Sequence, residues 1–479
     1  MKEVYKATWD SLKSHLDVPR WLDNAKFGIY THWGVYSVPA CGPNGTWYPY
    51  NMYREGTEQY KHHVKHYGHP SKFGYKDFIP MFKAEKFDPE EWADLFKKAG
   101  AQFAGPVAEH HDGFSMWDSE VNDWNAAKMG PRRDVVGELE KAIRKRGMKF
   151  MVAFHHAANW WFFPHWRREF DTSDPKYSGL YGPIHNEDAK PDIKWEEQDL
   201  PSEEFLELWK AKIKEVIDKY KPDLIWFDFG LAGIREKYRR EILAYYFNRA
   251  EEWGVDVGVT FKRPGLPPGV GVEDLELGRM ERLTYHKWIT DTDIAVGGAW
   301  SYIQNIKYKS AKTLVHNLVD NVSKNGYLLL NVGPKADGEI PEPAKKRLLE
   351  IGEWLRVNGE AIYGATSWFI HGEGPTRMEK GGAFSEVEEV EYTAEDIRFT
   401  VKGNALYAIC LGWPGEEITI RSLRRARLTV MDEKDIGCVK MLGVDGELEW
   451  SMTSKGLNIK TPRRKPCKFA YTFKILLEG

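Results

Sequence analysis

In the stretch "AEHHDGFSMWDS", residues 108 to 119, two histidines and an aspartate follow directly on the apolar run "AQFAGPV". A run that heads into a core and then ends in imidazoles and a carboxylate has the composition of an active-site rim. Other apolar runs end the same way. "KFGIYTHWG" offers Thr31, His32 and Trp33, "KFMVAFHH" offers His155 and His156, and "DLIWFDFG" offers Trp226 and Asp228. "VDVGVTF" is followed by Lys262, and "GYLLLNVG" carries Asn331. A lone histidine in such a place is ordinarily a satisfied structural group, but His32, His110, His111, His155 and His156 on three run ends point to function.

Two chemistries can use this set. A metal-dependent barrel hydrolase needs three or four converging ligands. Here "YTHWG" offers a single histidine in place of a His-x-His pair. Successive residues of a strand also face opposite ways, so His110 and His111 reach one ion only across a twist or bulge. In the other chemistry neutral histidines hold hydroxyl groups while carboxylates react, as glycoside hydrolysis requires. Asp228, enclosed by Trp226, Phe227 and Phe229, is costly to bury unless its charge is paired or used. The competing reading makes it the cap of the next helix, but that helix is expected only near Ile234, several residues too late for a cap.

These residues converge only if the runs are parallel strands of one barrel. From the N-terminus to residue 365, β-rich runs alternate with amphipathic helices, the pattern of strands joined by crossover helices. "DPEEWADLFKKAG" carries Asp88 as N-cap, Pro89 in the first turn and Gly100 as stop. "DVVGELEKAIRKRG", "SEEFLELWKAKIKEVIDKYK", "REKYRREILAYYFNRAEEWG" and "SAKTLVHNLVDNVSKNG" follow. Six clear strand runs and two weak ones between residues 272 and 294 predict an α/β fold, a (β/α)8 TIM-like barrel whose strand ends share one functional face. The runs are continuously apolar, as buried parallel strands are. Residues 157 to 200 read as one long loop over the barrel mouth. Beyond residue 365 the rhythm changes to the short strands "IRFTVKGNALYAICL", "EITIRSL", "RARLTVM", "VKMLGVDGELEWSM" and "LNIKTP". This predicts a C-terminal antiparallel β-sandwich over 366–479, after a catalytic barrel over 1–365.

Composition narrows the partner. Lys and Arg number 68 against 71 Asp and Glu, so no global field draws the chain to nucleic acid or an anionic membrane. Four cysteines without metal spacing are expected as reduced thiols, and the polar N-terminus lacks the apolar core of a signal peptide, so a cytoplasmic protein is expected. Aromatic residues make up 14% of the chain, and many sit in polar company, as in "GTWYPYNMY", "NWWFFPHWRR" and "GGAWSYI". Flat rings beside donors and carboxylates suit the C–H faces of sugars, although core packing accounts for many of them.

Taken together, "KFGIYTHWGVYSVP", "HHDGFSMWDS" with "GPRRDVVGEL", "KPDLIWFDFG" and "SKNGYLLLNVGPKADGEIPEPAKKRLLEIGEWLRVNGEAIYG" resemble the α-L-fucosidases of glycoside hydrolase family 29. The resemblance implies a (β/α)8 barrel with a β-sandwich and retaining hydrolysis of terminal α-L-fucosides through a covalent fucosyl-aspartate, with no cofactor and no metal. It places the nucleophile on Asp228, the sugar-binding histidines on His32, His110 and His111, and the stacking tryptophan on Trp47. Trp226, Lys262 and Trp300 complete the expected sugar contacts. The chain departs from the family at Thr46, where many relatives carry glutamate, and at Ile289, where some place the acid/base glutamate after a tryptophan. Lys262 or Arg263 stands where some relatives have an arginine. The acid/base is therefore sought in "VEDLELGRMERL" and falls on Glu276, expected near the end of the sixth strand and enclosed by Leu275 and Leu277, with Glu273, Glu281 and Asp291 as rivals read as solvated loop charges. The expected partner is a fucosylated oligosaccharide or glycoside. An α-L-galactoside substrate, a non-catalytic sugar-binding role and self-association into a homo-oligomer stay open.

Overall fold

A computed structural model describes residues 4–188, 193–378, 380–386, 390–424 and 431–478. Eight strands close into a parallel barrel in sequence order: β1 (Phe27–Thr31), β2 (Phe103–Glu109), β3 (Lys149–Phe154), β4 (Leu224–Phe227), β5 (Gly258–Phe261), β6 (Val272–Asp274), β7 (Trp288–Asp293) and β8 (Gly326–Val332). The strand cores other than β6 and β7 are largely apolar on both faces because one face fills the barrel and the other meets the helices. Tyr30, Phe103, Met151, Leu224, Trp226, Ile289, Tyr327 and Leu329 share the cluster inside. The helices start where their caps predict. Asp88, Asp134, Ser202 and Ser310 each accept a hydrogen bond from a backbone N–H in the first turn of Pro89–Lys98, Val135–Lys145, Glu203–Tyr220 and Ala311–Ser323.

The two weak strands are weak for different reasons. β6 has three residues, too few for a periodic signal. β7 reads "WITDTD", yet all six residues are buried, so its polar residues point into or across the barrel instead of marking a loop. Asp291 is therefore no solvated loop charge: it is 1% exposed, and Tyr30 Oη donates to its carboxyl at 2.9 Å.

The C-terminal domain is built from two antiparallel sheets. One orders β13 (Ile436–Met441), β16 (Tyr471–Leu477), β11 (Ala405–Cys410), β10 (Ile397–Lys402) and β9 (Thr366–Glu373); the other orders β12 (Glu417–Ile420), β15 (Leu457–Lys460) and β14 (Trp450–Met452). β9 and β16 lie outside the runs singled out above, although β16 alternates Tyr471, Phe473 and Ile475 inward between polar Thr472 and Lys474. The expected strand from Arg425 lies outside the described residues up to Met431. The domain packs on the barrel through polar joints. Arg398 Nε reaches Asp320 at 2.6 Å, and Thr472 Oγ1 donates to Asn358 Oδ1 at 2.7 Å.

Candidate active site

A cavity of about 260 Å³ opens at the C-terminal ends of the barrel strands, lined by His32, Trp47, His110, His111, His155, Asp228, Lys262, Glu276, Asp291, Trp300 and Phe384 among others. It is smaller than a typical drug-sized site and holds about one sugar ring.

β2 ends at Glu109, one residue before the histidine pair, after a register shift against β3 at Val107 and Glu109. Strand alternation therefore stops before it can separate the two rings. His110 and His111 both line the cavity, 4.3 Å apart in an edge-to-face pair, which corrects the expectation that adjacent histidines face opposite ways. His111 Nδ1 donates to His155 O at 2.7 Å, so in the neutral ring Nε2 is left as an acceptor. His32 Nδ1 likewise faces Asn331 Oδ1 at 2.9 Å. Burial lowers the pKa of His32 and His110 well below 6.5 and brings His111 to about 4, so these rings are neutral near pH 7. His110 Nδ1 and His155 Nε2 are buried with no partner among the described residues, as groups awaiting a ligand would be. Asp112 stays outside the cavity and accepts from Tyr75 Oη at 2.7 Å. His156 turns away to Trp209.

Asp228 follows β4 and is 5% exposed. Its side chain makes no capping bond, and the next long helix starts at Glu236, so it is not a helix cap. His155 Nδ1 lies 3.1 Å and His111 Nε2 3.4 Å from Oδ2, while Lys262 Nζ lies 3.2 Å from Oδ1. Burial opposes the charge, but the Lys262 ammonium and the His155 ring outweigh it and hold the carboxyl well below its ordinary value. His155, named above at a strand end but not among the expected sugar contacts, is thus a direct partner of Asp228.

Lys262 sits among carboxyl groups rather than alone as a sugar contact. Its Nζ is also 2.5 Å from Glu276 Oε2 and 3.7 Å from Asp291 Oδ2. Burial works against the ammonium, yet Asp291, Glu276 and Asp228 together raise its pKa well above the usual lysine value. Burial, with Asp274 beside it, pushes Asp291 well above the ordinary carboxylate range, against the pull of the Lys262 ammonium. Asp274, Asp291 and Lys262 form one buried network under the pocket.

Glu276 lies two residues beyond β6, at the rim. Its surroundings are not those expected, because it has an ammonium partner and a side chain 19% exposed instead of enclosure by leucines. Of its rivals, Glu273 pairs with Arg263 outside the cavity, and Glu281 is exposed.

Trp226 is the one expected sugar contact that does not reach the cavity. It is fully buried in the barrel, its indole N–H donates to Asp274, and its ring lies under Lys262 Nζ at 4.9 Å. Strand alternation turns it down the barrel while Asp228, two residues on, leaves the strand at the mouth. Trp47 forms an edge-to-face pair with His111 on one wall, and Trp300 stands 5.3 Å from His32 on another. Thr46 and Asn44 share the first wall, with Thr46 Oγ1 donating to Asn44 Oδ1 at 2.8 Å.

Two groups of ligand atoms are close enough to test for a metal: His32, His110 and His155, and His111, His155 and Asp228, each set within 4.8 Å. In the second, Asp228 already has a cationic partner, the Lys262 ammonium 3.2 Å from its other oxygen, Oδ1. In the first, all donors are imidazoles without a carboxylate, and the spacing is that of a hydroxyl-binding cradle as much as a coordination sphere.

A buried carboxylate, a second carboxyl at the rim and neutral histidines around a one-sugar cavity, on the C-terminal face of an eight-stranded barrel, define a glycoside-processing enzyme. The comparisons narrow this class. Residues 1–360 match the family described as alpha-L-fucosidase, and residues 390–476 match the alpha-L-fucosidase C-terminal domain. The tissue alpha-L-fucosidase of Rattus norvegicus is 32% identical over 98% of this chain and 92% of its own length. That of Bos taurus is 33% identical over 98% of this chain and 91% of its own. Thermotoga maritima alpha-fucosidase, solved in complex with fucose, superposes with a TM-score of 0.77 at 34% identity, covering 98% of this chain and 100% of that one. The chain belongs to the alpha-L-fucosidase family of glycoside hydrolases.

Proposed function

We propose that the protein is a retaining exo-glycosidase that removes terminal α-L-fucose, with Asp228 as nucleophile and Glu276 as acid/base. The observation that carries this reading is the Asp228 carboxylate, kept ionised at a pocket floor by Lys262 and His155. In the first step Asp228 attacks the anomeric carbon, the glycosidic C–O bond breaks, and Glu276 gives its proton to the departing oxygen. In the second, Glu276 takes a proton from water, the water oxygen bonds to the anomeric carbon, and Asp228 leaves as carboxylate.

The placement of Lys262 supports retention. One ammonium 3.2 Å from Asp228 and 2.5 Å from Glu276 keeps those oxygens within the sum of the two distances. That falls short of the ~6.5–9.5 Å an inverting enzyme needs for its water. Lys262 also serves both halves of the cycle. It neutralises Asp228 before attack, and Glu276 once Asp228 has become an ester. His32, His110 and His111 would hold the sugar hydroxyls, with Trp47 and Trp300 as flat walls. A reducing cytoplasmic setting is part of the proposal, supported by four cysteines that are all unpaired.

The test is release of 4-nitrophenol from its α-L-fucoside with EDTA present, followed by Asp228→Gly. Wild-type turnover should persist in chelator. The variant should lose several orders of magnitude in kcat and recover with azide, giving the β-fucosyl azide as the small anion enters the vacated face. Chelator inactivation, or near-normal hydrolysis by Asp228→Gly, ends the proposal.

A further inference from the structure

Phe384 belongs to the C-terminal part of the sequence, yet it lines the cavity of the barrel while 58% of it faces solvent. Its φ is 57°, the left-handed region, which a bulky side chain occupies only where its surroundings impose it. Those surroundings are the backbone that carries Glu276. Phe384 N donates to Glu276 O at 2.6 Å, Glu386 N to Leu277 O at 2.8 Å, and Gly382 N to Arg279 O at 2.7 Å. Residues 380–386 thus form a strap laid antiparallel on the segment after β6.

The strap is anchored from below. Glu386 is 4% exposed on its side chain and accepts hydrogen bonds from Thr292 Oγ1 and Asn317 Nδ2, with Lys309 Nζ at 3.0 Å. A buried carboxylate with this many partners is a fixed point. Its backbone neighbour two residues earlier is nevertheless an open phenyl ring, which no core requirement explains.

The geometry says what meets that ring. The histidines and Asp228 line the buried end of the cavity, so the sugar that reacts fills that end. Glu276 stands at the rim and, on the reading above, protonates the departing oxygen, so the group beyond that oxygen leaves past Glu276. Phe384 is bonded through its backbone to Glu276 and lies on this same side. We propose that Phe384 is the platform for the leaving group, packing the flat face of an aryl or pyranose ring attached to fucose, so that specificity beyond the terminal sugar is set by a residue of the C-terminal segment. The proposal rests on the fucosidase reading.

The experiment compares three substrates: α-L-fucosyl fluoride, whose leaving group has no face to stack; 4-nitrophenyl α-L-fucoside, which stacks but needs little acid assistance; and a fucosyl-galactose disaccharide, which needs both. For Phe384→Ala and Phe384→Leu, kcat/KM on the aryl fucoside and the disaccharide should fall about tenfold further than on the fluoride, the size of a lost aromatic contact. Phe384→Tyr, which keeps the ring, should restore both. Equal losses on all three substrates, or none on any, overturn the platform. A loss confined to the disaccharide also overturns it, because it means that the strap merely holds Glu276. A wild-type protein that cleaves none of the three removes the fucosidase reading and the platform with it, whereas wild-type activity with an unselective Phe384→Ala removes the platform alone.

Discussion

Replacing Lys262 by methionine keeps most of the side-chain bulk and removes a charge 3.2 Å from the carboxylate of Asp228, the proposed nucleophile. Two unit charges at that distance interact by about 1.3 kcal/mol at the dielectric of water and by about 5 kcal/mol at an effective value of about 20. Divided by the free energy of one pH unit, this raises the pKa of Asp228 by about one to four units. The direction follows from the sign of the effect. Wild-type Asp228 is held well below the ordinary carboxylate range, so its ionised form persists into acid, and activity is lost only as pH falls through that depressed value. Without the ammonium, only His155 and His111 oppose the burial of the charge, so the acidic limb of kcat/KM against pH must move towards neutrality. The assay is hydrolysis of an activated aryl fucoside from pH 3 to 8, because such a substrate depends least on proton donation and isolates the nucleophile. An acidic limb that stays where the wild type has it would refute the reasoning, meaning either that Lys262 does not keep Asp228 ionised or that Asp228 is not the group titrating.

Three further outcomes are expected. Glu276→Ala should strongly slow substrates with poor leaving groups while sparing attack on activated aryl fucosides, and azide should then yield the α-fucosyl azide; equal losses on both substrate types, with no azide product, move the acid/base to Asp291, the buried acid 3.7 Å from Lys262 whose pKa burial raises. His32→Ala, His110→Ala or His111→Ala should each cost about 2–4 kcal/mol in transition-state binding, read from kcat/KM, and a variant that only melts earlier with unchanged kinetics marks that ring as structural. Burial also takes His111 and His316 from 6.5 to about 4, so the unfolded chain binds their protons more readily than the fold; stability is complete above pH 6.5 and falls by up to about 3 kcal/mol per ring as pH drops to about 4. Denaturant midpoints measured across that window should decline steadily, and a flat profile contradicts buried neutral rings.

Much of this protein is legible without coordinates because local chemistry decides it. Asp88, Asp134, Ser202 and Ser310 start helices wherever they precede an amphipathic run, since the first-turn N–H groups need an acceptor. Continuously apolar runs such as Leu224–Phe227 announce strands covered on both sides, and the polar residues just past them announce the functional end of the barrel. Asp228, His32, His110 and His111 were accessible in this way, and so was Glu276 as a position. The surroundings of Glu276 were not. Lys262 arrives from another strand, and a sequence spacing of 14 residues says nothing of a contact at 2.5 Å. Tertiary structure alone decided that the strand stops one residue before His110, which puts both rings on one side, and that Trp226 turns inward to Asp274. It alone turned the polar strand "WITDTD" inward, making Asp291 a buried acid of raised pKa instead of a surface charge. It alone carried Phe384 back from the sandwich side of the sequence to the barrel mouth, by backbone hydrogen bonds to residues more than a hundred positions earlier. Propensity, capping and periodicity act over a few residues and are written in the order of the chain; pKa values and site walls are made by groups that meet only when strands and loops distant in that order are closed into one barrel.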